Sequence, residues 1–143
     1  MAAKNKRYKM CGFVNKTLDV RTTNGLNDIL LEPLEFVRKY GQTVRAPIGA
    51  ETNGFSVPRC LQNIIPATGG DWFSAVLHDS SYENSLEVYT GVWEKANYSK
   101  EECDDLILEA MISQSVGLVK RQTIYRALQL FGWKAFNENR GIE

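Results

Sequence analysis

The sequence predicts an α+β domain, with short N-terminal β-strands and turns packed on a C-terminal bundle of about three helices. Up to about Ala67 the apolar residues fall in short runs broken by Gly, Pro and Asn-Gly, as strands and turns require. Beyond Gly69-Gly70 the apolar spacing becomes helical. A chain of 143 residues suits one domain that buries a core without metal or crosslink.

Met10 to Val14 and Leu18 to Arg21 are the first strand candidates, with a turn at Asn24-Gly25. Ile29 to Leu31 is apolar and stops at Pro33. Leu34, Phe36 and Val37 resume the pattern, either as a strand or within a helical segment from Pro33 to Tyr40. Gln42 to Ala46 alternates polar and apolar, the mark of a half-buried strand. Asn53-Gly54 is a further turn signal.

A helix then runs from about Trp72 to Tyr82, with Asp71 placed to accept from the free N–H groups of its first turn. Glu87 to Tyr98 reads as a long loop or an irregular helix around Gly91. Ser99 and Glu102 form a capping box at the head of the next helix. Cys103, Leu106, Ile107, Ala110 and Met111 give that helix one apolar stripe, and Gly117 ends or kinks it. A third helix, Leu118 to Phe136, buries Tyr125, Leu128, Phe131 and Ala135. The whole chain, 1–143, is expected to be one domain with a flexible basic terminus at about 1–9 and a frayed polar tail at about 137–143.

Seventeen basic and seventeen acidic side chains cancel, which argues against a broad nucleic-acid surface. Cys11, Cys60 and Cys103 are odd in number and widely spaced, which speaks against a disulfide framework or zinc knuckle. A reducing compartment fits best. No apolar run is long enough to span a membrane, and none follows the basic start as in a signal peptide.

His78 is the one histidine, with Asp79 beside it and Tyr82 four positions on. Residues four apart share a helix face, so His78 and Tyr82 point together. Asp104 and Asp105 lie in the first turns of the next helix, and either carboxylate can approach the imidazole if the two helices pack together. A His–Asp contact fixes the tautomer and raises basicity, as a general base needs. The same groups suit a divalent cation such as Ca²⁺, with Asp79, Asp104 and Asn53 as ligands. The plainer reading is a buried polar network, in which Asp79 needs a partner because an isolated carboxylate in apolar surroundings is costly. Upstream, Thr52 to Arg59 gathers turn-forming, hydroxyl and guanidinium groups, among them Ser56, a nucleophile only with a base beside it.

These motifs, Thr52-Asn53-Gly54-Phe55-Ser56-Val57-Pro58-Arg59, then His78-Asp79-Ser80-Ser81-Tyr82, then Lys100 to Met111, resemble a family of short phage and prophage proteins, domain of unknown function 1353. Its members typically show Thr-Asp-Gly-Ala-Ser-Ile-Pro, then His-Asp-x-x-Tyr, then Ala-Asp before an apolar helix. The resemblance runs from about Gly49 to Ala135. His78, Asp79, Tyr82 and Asp104 match it, with Cys103 in the alanine place. Asn53 stands where the family has aspartate, and Phe55 where it has a small residue; if that aspartate holds a metal in the family, its charge is missing here. The helix pair also resembles that of phospholipase A2. There a histidine activates water, the adjacent aspartate holds calcium, and a tyrosine and a later aspartate brace the histidine. His78, Asp79, Tyr82 and Asp104 would take those roles, although the family's disulfides and glycine-rich calcium loop are absent.

Three functions follow as expectations. The first is a phage or prophage structural or accessory protein, virion- or tail-associated, acting on a protein partner. Trp93, Tyr89 and Tyr98 would form its contact surface. The second is a small His/Asp hydrolase, metal-dependent or not, with catalytic residues His78, Asp79, Tyr82 and Asp104. The third is a small inhibitor of a host protein, using the acidic stretch from Glu83 to Glu109.

Overall fold

The computed structural model describes residues 12–23, 27–52 and 72–141. Among them the strands are β1 (Gly12–Phe13), β2 (Val20–Thr23), β3 (Asn27–Leu30), β4 (Leu34–Val37), β5 (Thr43–Ala46), β6 (Glu51–Thr52), β7 (Glu87–Tyr89) and β8 (Trp93–Lys95). The helices are α1 (Trp72–Tyr82), α2 (Lys100–Ser113), α3 (Leu118–Phe131) and α4 (Trp133–Asn139). The α+β class expected from the sequence is the class observed, with four described helices in place of about three. One antiparallel sheet has the order β1-β4-β5-β7-β8, and a smaller one the order β2-β3-β6.

The alternation read in the sequence sets which faces are buried. Leu34 and Phe36 of β4, and Val44 and Ala46 of β5, point into the core, with Phe36 opposite Val44 across the ladder. Pro33–Tyr40 therefore holds a strand and not a helix, because β5 offers it a partner at matching register. Glu87–Tyr98 is corrected as well. It forms the β7–β8 hairpin, whose turn, Thr90 to Val92, uses Gly91 at a positive φ of 97°. Arg45 of β5 anchors that hairpin by bonding Glu87 at 2.7 Å and lying 4.0 Å over the Trp93 ring. The turns expected at Asn24-Gly25 and Asn53-Gly54, the N-cap Asp71 and the basic terminus lie outside the described residues.

α1 lies against β5, β6 and α2. Its Val76, Leu77 and Tyr82 join Leu30, Leu34, Phe36 and Val44 in the main core. A second cluster, built on Ile107, Met111, Ile124 and Leu128, sits between α2 and α3. The stripe expected on α2 is buried in full, and its capping box is present, Ser99 Oγ accepting from the Glu102 N–H. A polar tie joins sheet to helix. Arg38, just after β4, donates to Glu109 of α2 at 2.9 Å, and Tyr98 Oη donates to Gln42 at 2.9 Å. Tyr98 is thus buried, contrary to its expected place on a contact surface.

The expected helix from Leu118 to Phe136 breaks at Gly132, so Phe131 points outward and Phe136 inward. α2 already ends at Ser113, and Gly117 serves as the N-cap of α3. Asn137 to Asn139 form the last turn of α4, with Arg140 as its C-cap. Arg140 donates to the carbonyl oxygens of Ser81, Tyr82 and Tyr98 at 2.8 to 3.1 Å, closing the C-terminal end of α1.

Gly132 is needed for lack of a side chain. A Cβ there would fall 2.6 Å from Tyr82 Oη and 2.5 Å from the Leu128 carbonyl oxygen. Gly132→Ala is expected to lower the unfolding free energy in urea by about 1–3 kcal/mol, the usual cost of overpacking. An unchanged midpoint would show that this close approach is not maintained.

Candidate functional site

Side chains from two helices meet at Asp104. α1 presents His78 and Tyr82 on one face, their ring centroids 4.0 Å apart. α2 presents Asp104, with Lys100 one turn before it. The capping box starts α2 at Lys100, and the apolar stripe turns that side of the helix inward, carrying Asp104 toward α1.

Tyr82 Oη donates to Asp104 Oδ1 at 2.6 Å, and His78 Nε2 approaches the same oxygen at 3.5 Å. Lys100 Nζ donates to Asp104 Oδ2 at 2.6 Å and to the Leu128 carbonyl of α3 at 2.6 Å. The network therefore ties α1, α2 and α3 together. His78 is 1% exposed, Asp104 2% and Lys100 4%.

Burial alone would raise the Asp104 pKa. The bonds from His78, Lys100 and Tyr82 outweigh it and hold the carboxyl below its usual range. Burial, then the bond to Asp104, pushes the Tyr82 hydroxyl far above its ordinary value, so Tyr82 remains a donor. An ionised carboxylate only accepts, so Nε2 of His78 must carry the proton in this pair. Nδ1 is the ring nitrogen on the other side. Lys100 and Asp104 balance in charge, so a protonated His78 would leave one surplus positive charge in the core.

Asp79 is secured elsewhere. It is 1% exposed and accepts from Thr52 Oγ1 of β6 at 2.6 Å. The bond joins two of the sequence motifs, because Thr52 immediately precedes Asn53. Asn53, Ser56 and Arg59 themselves lie outside the described residues. Glu83, one turn beyond Asp79, is pushed up to about 7 by desolvation and then by the negative charges of Asp79 and Glu51.

The structure thus brings His78, Tyr82 and Asp104 together and ties Asp79 to a different partner. Of the two acids expected near the imidazole, Asp104 arrives. Asp105 instead faces solvent and accepts from Tyr125 Oη at 2.8 Å. Among the described residues no group of three or more His, Cys, Asp or Glu side chains could hold a metal ion. Asp104 has both oxygens engaged by protein donors, which does not fit a cation shared with Asp79.

Sequence reasoning missed Lys100 and Arg140. Lys100 carried a readable signal, since a lysine in the first turn opposes the helix dipole, and Asp104 four positions on supplies the reason. Arg140 carried none, because its partners are backbone oxygens about 42 to 59 positions away.

A family model described as "Protein of unknown function (DUF1353)" matches residues 29–128. The match starts earlier and stops sooner than the motif resemblance, taking in β3 to β5. No curated protein and no solved structure matches the chain.

Removing the central acid should expose the network's energetics. Asp104→Ala is expected to cost about 3–5 kcal/mol in urea unfolding, because it leaves Lys100 buried without its counter-charge. The double substitution Lys100→Met, Asp104→Leu should cost clearly less than the sum of its single changes. The pH dependence has a definite sign. Asp104 has a depressed folded pKa, so its contribution is full above the unfolded carboxylate range and is lost as pH falls through the folded value. The stability gap between the wild type and Asp104→Asn should therefore narrow from pH 7 to about pH 3. A gap that widens with acid would contradict the assignment.

Proposed function

Because the chain belongs to the DUF1353 family of proteins of unknown function, matched over residues 29–128, we propose its role from the site itself: a phage or prophage accessory protein, virion- or tail-associated, that acts through protein–protein contacts. One observation carries this reading. The residues with chemical potential are closed off, with His78, Tyr82 and Asp104 each at most 2% exposed and bonded to one another. A general base needs a substrate within hydrogen-bond reach, and a sealed imidazole offers none.

Apolar side chains meanwhile face solvent. Val119 is 80% exposed and Leu130 70%. They stand eleven positions, about three turns, apart on one side of α3. Tyr89 and Val92 of the hairpin are exposed as well. We read these exposed side chains as parts of a contact surface. The phage setting is supported by the motif resemblance, and it implies production in a host-cell cytoplasm.

A second reading is favoured by one specific feature. Asp104 holds Nε2 of His78 and Tyr82 braces the same oxygen, the arrangement of a base and its orienter. In a small hydrolase of that kind, Nδ1 would take a proton from water and Asp104 would stabilise the imidazolium.

Particles of the encoding phage separate the two. In the contact reading the chain is recovered with purified particles. The double variant Val119→Lys, Leu130→Glu is lost from them, and a folded His78→Gln variant is retained. Turnover on phospholipid vesicles or peptidoglycan that disappears in His78→Gln, at unchanged unfolding free energy, would overturn the contact reading in favour of the hydrolase.

A further inference from the structure

A pocket of about 270 Å³ opens between α2, α3 and the start of α4. Lys100 and Asp104 line it, together with Glu101, Asp105, Tyr125 and Trp133. We propose that this pocket binds a guanidinium group, as carried by an arginine side chain of a partner protein.

The chain's own ammonium group shows what the pocket accommodates. Lys100 Nζ sits 5.1 Å from the centroid of the Trp133 ring while it donates to Asp104 and to the Leu128 carbonyl. Lys100 itself fills those acceptors, so a second cation is offered the exposed remainder of the pocket, the Trp133 indole and the carboxylates of Glu101 and Asp105. The Lys100–Asp104 pair is neutral as a unit, which leaves Glu101 and Asp105 as two surplus negative charges in the lining. Both are solvent-exposed. Tyr125 Oη occupies Oδ1 of Asp105 at 2.8 Å, which orients that carboxylate and leaves Oδ2 for a ligand. Trp133, 51% exposed, offers indole surface to a newcomer.

Charge and shape narrow the class. Two surplus carboxylates repel an anion and give no advantage to a neutral ligand. A hard metal ion prefers a cage of oxygens, and here an indole and an ammonium stand among the lining groups. Guanidinium is planar, stacks on aromatic faces and forks onto a carboxylate. The volume is slightly below the range of about 300–1,000 Å³ that drug-sized ligands occupy, which suits one side chain.

The inference deepens the contact reading by naming the partner's chemistry, and it rests on that reading only for the cation's source. A small probe therefore tests the pocket separately from the particles. The full chain, ¹⁵N-labelled, is titrated with N-acetyl-arginine amide and, in parallel, with the uncharged N-acetyl-citrulline amide, while the backbone amides of the lining residues Glu101, Asp105 and Gln129 are followed by NMR, with the Trp133 indole N–H as a further reporter where it is present. The expected result is a saturable shift with the arginine probe alone. Trp133→Leu and Asp105→Asn, both at exposed positions, should each weaken binding by about tenfold with the rest of the spectrum preserved. The proposal is overturned by the absence of a saturable shift up to about 50 mM, by equal shifts from the citrulline probe, or by undiminished binding in both folded variants. Such a failure leaves the contact reading to be decided by the particle experiment.

Discussion

The structure depends on one buried carboxylate. Asp104 stays ionised in the interior only because Lys100, Tyr82 and His78 all reach it, and each of those donors is supplied at a helical spacing. The requirement constrains the packing in three directions. α1 must turn the His78–Tyr82 face toward α2. α2 must start at its capping box, so that Lys100 and Asp104 share a face. α3 must bring the Leu128 carbonyl to Lys100, and the chain just after it must be glycine where it passes Tyr82. A hydrophobic core tolerates small slips in helix register, but this network does not, since any slip leaves a buried charge unpaired.

Neighbouring residues of α1 are held by different parts of the fold. His78 belongs to the helical side through Asp104, and Asp79 to the sheet side through Thr52 of β6. Arg140 closes the end of the same helix from the far C-terminus. Helix α1 is thus secured on its sides and at its end, and the polar groups that a catalytic reading would recruit already have structural partners. Exposed apolar side chains lie on α3, and the acid-lined pocket beside Trp133 lies where α2, α3 and the start of α4 meet.

Much of this was legible in the sequence, for identifiable reasons. The α2 stripe and its capping box are local patterns, and both are present. The pairing of His78 and Tyr82 followed from a spacing of four, and Asp104 as the later acid followed from motif order. The hairpin at Glu87–Tyr98 was not legible, because its strands are three residues long and one of them is stabilised by Arg45, more than forty positions upstream. The break at Gly132 was hidden because a single glycine within a helical pattern is ordinary until Tyr82 Oη is seen against it. The exposed positions of Phe131 and Val119 could not be read from periodicity, which places a residue on a face without saying whether that face is covered.

Proton exchange at the His78 ring tests the central claim most directly. If the imidazole is sealed and donates from Nε2 to Asp104, its Nε2–H should appear in NMR as a separate, slowly exchanging resonance correlated with one fixed tautomer, and it should disappear in Asp104→Ala. A ring proton exchanging at the rate of free imidazole would show that solvent reaches His78. The network would then be an open site and not the closed joint on which this reading of the fold depends.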